Sequence, residues 1–165
     1  MRTLAERLRD VPQRGRLAWI GVRPERGAPM RELTTAESLA GFGLRGDRIA
    51  AGRGGSSRQV TLIQAEHLPV LAALTGRDVT PPLLRRNLVV AGINLVALAK
   101  LRFAIGDEVI LVGTGACAPC EKMEEALGAG GFQAMRGHGG ITARIERGGT
   151  LRVGDVVRVL GEDAP

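Results

Sequence analysis

Tyrosine is missing from this chain, tryptophan occurs once and phenylalanine three times, so flat platforms for stacking nucleobases are scarce. Lysine is nearly missing too. Lys100 and Lys122 are the only two, and the net charge of +6 comes from arginines spread along the chain, with no basic tail. That distribution argues against nucleic-acid binding, while a positive surface favours small anionic ligands, phosphates included. No apolar stretch approaches a membrane span. The longest weakly polar run, LVVAGINLVALAK, is interrupted by Gly92 and Asn94 and ends in Lys100. The opening MRTLAERLRDVPQRGR lacks an apolar core and carries acids among its arginines, which excludes a secretory signal, disfavours a transit peptide and leads us to expect a cytoplasmic protein. Cysteine is limited to Cys117 and Cys120, separated by Ala118-Pro119. Two cysteines without an export signal argue against a disulfide scaffold, so both thiols are expected to be free, catalytic or metal-bound.

The chain does have enough apolar residues, nearly half of its 165, to close its own core as one domain. We expect a core over about residues 15–160, with residues 1–14 as a short peripheral helix ending near Pro12. LAWIGVR at 17–23 reads as a buried strand and PERGAP as the turn after it. Residues 41–58 are rich in Gly, Arg and Ser, the composition of a loop whose backbone can approach a ligand closely. RQVTLIQ at 58–64 reads as a strand, AEHLPVLAALTG as a helix stopped by Gly76, and PPLLRRNLVVAGINL at 81–95 as a turn into a strand.

One pattern occurs twice. FAIGDEVILV at 103–112 and LRVGDVVRVL at 151–160 share a hydrophobic lead, a Gly-Asp turn and a Val/Ile/Leu strand. Strands entered through such corners suit small, strongly bent barrels. Between them lie the cysteines, a helical piece around FQAMRG, and the strand ITARIERGG ending in a Gly-Gly turn. The fold class expected is mainly β with inserted helices, closed as a barrel.

In GTGACAPCEKMEEALG, Pro119 suits the first turn of a helix, which places Cys120 at or within a residue of its N-terminus and Cys117 in the loop before it. Free backbone N–H groups there favour a negative charge on the Cys120 sulfur, partly opposed by Glu121, Glu124 and Glu125. Three readings of the pair stay open at this point. A thioredoxin-like dithiol has the right spacing, although that motif belongs in a βαβ context near the start of a domain. A structural zinc site needs four ligands and would have to recruit His67 and His138, each alone and distant, with no H-x3-5-H spacing. A single working thiolate at Cys120 needs only a basic or polar cleft. On the bland side, Cys117 is a small core residue, His67 a satisfied helix-surface residue, and His138, within RGHGG, a loop residue free to face a ligand.

The ordered set GLRGDR at 43–48, RQVTLI at 58–63, RRNLVVAGINL at 85–95, IGDEVILV at 105–112, PCEKM at 119–123 and GGITARIERGGTLRVGDVVRV at 139–159 resembles the MOSC domain, the molybdenum-cofactor sulfurase C-terminal family, over roughly residues 15–160. The resemblance implies a MOSC-type β-barrel, the molybdenum cofactor (molybdopterin) as ligand, and Cys120 as the functional thiol, either metal ligand or sulfur carrier. It assigns no role to Cys117. Arg48, Arg58 and Asn87 fall at motif positions suited to cofactor binding, and His138 completes the set of ligand-facing candidates. Two positions depart from the family pattern: Ile49 stands where a histidine commonly follows the Gly-Asp, and Arg86 where a glutamate precedes the asparagine. The positive charge kept at Arg48, beside Ile49, and the one added at Arg86 favour an anionic ligand. The implied activity is reduction of N-hydroxylated small molecules or transfer of cofactor sulfur, with an electron-donor or sulfur-donor protein as partner. A non-catalytic cofactor carrier and a CxxC redox protein are the alternatives. Full-length sulfurases join this domain to a pyridoxal-phosphate domain, for which the present length is expected to leave no room.

Overall fold

The computed structural model describes residues 1–161 and 164. Along the chain run α1 (Leu4–Arg9), β1 (Gly15–Val22), β2 (Arg31–Leu33), β3 (Thr35–Leu39), β4 (Gly43–Leu44), β5 (Val60–Gln64), α2 (His67–Thr75), α3 (Pro81–Leu84), β6 (Leu88–Ala91), a 3-10 turn (Leu95–Leu98), β7 (Arg102–Ile105), β8 (Val109–Ala116), α4 (Glu121–Leu127), α5 (Gly131–Met135), β9 (Ile141–Arg147), β10 (Gly149–Arg152) and β11 (Val156–Val159). Hydrogen bonding orders the main sheet β11-β7-β8-β9-β5-β6-β1, and β1 returns to β11 through the pairs Gly15↔Val157 and Arg16↔Val156. Seven strands thus close into a barrel, with β2 as a flap on β1 and a small second sheet in the order β10-β3-β4. Closure removes the open edges that a sheet of this size would otherwise expose.

Strand alternation explains the two layers of packing. Val60 and Leu62 of β5, Leu88 and Val90 of β6 and Phe103 of β7 point into the barrel and share one buried cluster. Their neighbours Ile63 and Val89 point outward and pack against Leu71, Met123, Leu127 and Met135, mostly from α2, α4 and α5. Each such side chain taken fully from water contributes about 1.5–3 kcal/mol. Because both faces are covered, β5 and β6 are buried at every position but the last, and they form a parallel pair. A parallel pair needs a crossover, and residues 65–87 supply it with α2 and α3.

The two Gly-Asp corners behave as the repeat implies and also meet each other. Gly106, at φ +66, turns β7 into β8, while β11 pairs with β7 so that Gly106 N–H donates to Val156 O at 2.9 Å. A side-chain carbon on Gly106 would come within 2.8 Å of Asp155 Oδ2, the acid of the other corner. The barrel seam is therefore built from the repeated motif.

Several expectations shift in detail. The N-terminal helix is only Leu4–Arg9, closed by a Thr3–Glu6 capping box, and none of its residues is buried. The segment at 81–95 opens with a helical turn before its strand, and residues 41–58 contain the short β4 among turns. Pro119 lies just outside α4, whose N-cap is Cys120 itself.

Gly140 joins this scaffold to the cysteine loop. It sits at φ +82, accepts a hydrogen bond from Cys117 N–H at 2.9 Å, and a side-chain carbon there would lie 1.8 Å from Leu62 O. Gly140→Ala is expected to destabilise the fold by more than about 2 kcal/mol in chemical denaturation, through both backbone strain and overlap with β5. A change within about 0.5 kcal/mol would contradict the close approach.

Candidate functional site

The site starts from a buried carboxylate. Asp47 follows β4 in a tight turn, where its Oδ1 accepts Ile49 N–H at 3.0 Å. The same carboxylate accepts Arg23 N–H at 2.8 Å, Arg23 Nε and Nη2 at 3.1 Å each, and Asn87 Nδ2 at 2.9 Å. Asn87 is fully buried. Its Nδ2 also donates to Gly21 O at 3.1 Å, while its Oδ1 accepts from Arg23 Nη2, Thr61 N and Thr61 Oγ1, each at 3.1 Å. Asp47, Arg23, Asn87 and Thr61 thus tie the end of β1, the turn after β4, β5 and the entry to β6 into one network. Burial alone would raise the Asp47 carboxyl; the Arg23 side-chain and backbone bonds, its charge and the Ile49 N–H outweigh it and hold the carboxyl below the usual range.

Above this network opens a cleft of about 460 Å³ lined by Arg23, Arg48, Arg58, Thr61, Leu84, Arg85, Arg86, Cys117, Cys120, Glu121, Lys122 and Met123. Five arginines and one lysine face it against a single lining acid, Glu121, which is exposed. Cys120 is exposed and its side chain makes no capping bond, so the sulfur is open to the cleft. Cys117 is buried at the start of the loop after β8, and its Sγ lies 3.9 Å from Arg58 Nη2. Arg85, the one non-glycine with positive φ (+54) among the described residues, ends α3 and donates to Ala28 O at 2.8 Å. Arg86 is buried; burial pushes its pKa down, the Cys117 and Cys120 sulfurs oppose this, and Arg23 and Arg58 add to it. A larger groove of about 1070 Å³ beside α1 contains neither cysteine nor histidine, so the cysteine cleft is where the chemistry gathers.

The predicted residues separate accordingly. Cys120, Arg48 and Arg58 come together on the cleft. Asn87 does not line it: its amide atoms are bonded to Arg23, Gly21 and Asp47, and it holds Arg23 in place. His138 does not line the cleft either. It is half-buried, its Nδ1 within 2.9 Å of Ala134 O and its ring edge-on to His67 at 5.1 Å between centroids. His67 is no satisfied surface residue, since its Nδ1 is buried without a hydrogen-bond partner among the described residues; burial and then His138 push its pKa down, against Glu66. Among the described residues no cluster of three or more His, Cys, Asp or Glu is placed to hold a metal ion. Sequence reasoning missed Arg23, whose signal was an arginine placed directly at the end of a buried strand, and it treated Asp47 as a turn former only.

Residues 50–158 match the MOSC domain, well over half of the chain. The chain belongs to the MOSC domain family. Its fold is similar to that of the YuaD protein from Bacillus subtilis, with a TM-score of 0.75 at 18% identity over 91% of this chain and 98% of that one. It is also similar to YiiM from Geobacillus stearothermophilus, with a TM-score of 0.69 at 13% identity over 89% of this chain and 75% of that one. YiiM from Escherichia coli is comparable, with a TM-score of 0.68 at 16% identity over 91% and 72% respectively. No curated protein matches the MOSC chain in sequence. Among its described residues no helix is long and apolar enough to cross a membrane.

The network under this MOSC cleft makes a pH prediction. A carboxyl held below its ordinary value of 3.8 contributes stability that is complete above that value and is lost as pH falls through the lower, folded value. Asp47→Asn is expected to lower stability near neutral pH by about 3 kcal/mol, because Arg23 loses its buried counter-charge. The gap from wild type should close as pH falls below 3.8, followed by urea midpoints. A gap unchanged at low pH would contradict the assignment.

Proposed function

We propose that this MOSC chain binds molybdenum cofactor, with Cys120 as the metal ligand or as the carrier of a sulfur atom, and acts in the reduction of N-hydroxylated small molecules or in cofactor sulfur transfer. The observation that carries this reading is the exposed Cys120 sulfur on a cationic cleft of about 460 Å³. That volume lies within the range of small-molecule and cofactor sites, and the donor set fits the group: a soft sulfur for molybdenum, and arginines for a phosphate. When bound, the cofactor supplies a redox-active metal centre with a position open to substrate. The chain's own residues do the rest. Arg48 and Arg58, both exposed at the cleft, hold the anionic end by charge-assisted hydrogen bonds. Arg23, fixed by Asp47 and Asn87, adds a rigid positive charge beneath, and Thr61 closes the floor. Reducing equivalents or sulfur come from a separate donor protein.

A second reading is favoured by one observation: both cysteine sulfurs reach the same cleft, as a dithiol redox pair would require. One experiment separates the two. The protein is isolated from a host that makes the cofactor, and molybdenum and pterin are measured with reduction of a hydroxylamine-type substrate and with persulfide on Cys120. Near-stoichiometric metal and pterin with turnover would mark the reductive form. Persulfide without retained metal would mark sulfur transfer, and retention without turnover a carrier. Cys120→Ala is expected to abolish retention or persulfide, whereas Cys117→Ala keeps either within about threefold, since a buried thiol is small and apolar in character. Loss of function in both variants, with a reversible Cys117–Cys120 disulfide and no pterin, would overturn the cofactor reading in favour of the dithiol.

A further inference from the structure

Arg86 is a buried guanidinium in the cleft with no carboxylate partner among the described residues. Its Nε donates to Gly139 O at 3.0 Å and its Nη1 to Leu84 O at 2.8 Å, so two neutral carbonyls fix the plane of the group. Nη2 has no acceptor among the described residues. Gly139 leaves it uncovered: a side-chain carbon at that position would sit 3.6 Å from Nη2. Burying a cation near Arg58 and Arg23 is unfavourable unless an anion is brought to it. The one acid lining the cleft, Glu121, is exposed, and the buried Asp47 is already bound to Arg23 and Asn87. What the chain offers Arg86 is the pair of cysteine sulfurs and an open cavity.

We infer that the inner end of the cleft is an oxyanion site, with Arg86 Nη2 as its principal donor and Arg58 as its second cation. The group it takes is the carboxylate, phosphate or sulfonate of a small ligand whose remainder extends along the cleft to Cys120. A guanidinium with its plane fixed suits such oxygens, because it presents a preset donor edge where lysine presents a point charge. This assignment deepens the cofactor reading by naming the charge of the ligand's inner end.

The test uses metal-free protein, so its failure and a lack of molybdenum in the isolated protein report separately. Inorganic phosphate, sulfate and acetate are titrated at constant ionic strength, with calorimetry and the shift in Tm as readouts. Wild type is expected to bind at least one of them saturably. Arg86→Gln should weaken that binding by about tenfold or more, as loss of a buried charged donor does. Arg86→Lys, keeping the charge without the planar edge, should fall between. Arg45→Gln, which removes an exposed arginine paired with Glu37 outside the cleft, should match wild type. Equal binding by Arg86→Gln and wild type overturns the site, as does an equal loss in Arg45→Gln. Should Arg86→Gln fail to fold, a crystal of wild type grown in phosphate decides: an anion on Arg86 Nη2 supports the site, and anions confined to Arg48 and the protein surface overturn it. Repeating the titration on cofactor-loaded protein identifies the source. Continued anion binding assigns the site to a substrate's acidic head, and blocked binding assigns it to the cofactor's phosphate.

Discussion

The Asp47 carboxylate is the counter-charge on which the site is assembled. It is 2% exposed, and it neutralises Arg23 while fixing the Asn87 amide that orients the same guanidinium from the other side. Without it, Arg23 would repel Arg58 and Arg86 across the same small cavity, and the turn after β4 would lose its anchor to the end of β1. One acid therefore lets several arginines converge without unfolding the wall that carries them. The excess that remains uncompensated is what the cleft offers to a ligand.

The barrel determines where that excess is aimed. Parallel β5 and β6 place Thr61 and Asn87 side by side, and the crossover between the strands ends in the left-handed Arg85. From there both arginines line the cleft, Arg85 tied to the Ala28 carbonyl and Arg86 buried against the Gly139 carbonyl. On the opposite side, β8 and β9 carry the cysteine loop, and Gly140 lets that loop lie directly on β5. The two cysteines then divide: Cys117 is held by backbone and by Arg58, and Cys120 is left free at the start of α4. This division fits a working thiol beside an arginine-bound companion.

Local pattern made much of this legible. The alternating and continuous apolar runs, the repeated Gly-Asp corners and the Pro-Cys start of α4 each reflect interactions between residues close in sequence, and their consequences appear as expected in β5, β7, β8, β11 and α4. What escaped is long-range. Arg23 and Asp47 are partners 24 positions apart, and Arg23 and Asn87 64 apart, and no period or spacing links them. Asn87 stood out in the sequence, but its place behind the cleft did not, because the bonding of its amide depends on Gly21 and Thr61 arriving from other strands. His138 lies away from the cleft because α5 packs on α2, which turns the ring toward His67. The departure at Arg86 was visible in sequence; its burial against Gly139 and Leu84 was not.

The central physical claim is that the Cys120 sulfur reacts from within a cationic cleft, and alkylation of metal-free protein with a charged and an uncharged reagent tests it most directly. Rates with iodoacetate and iodoacetamide are compared with those of a free cysteine, at low and high salt. The account predicts that Cys120 favours the anionic reagent relative to free cysteine, by about tenfold at low salt, with the preference shrinking as salt screens the arginines. A ratio equal to that of free cysteine and indifferent to salt would contradict it.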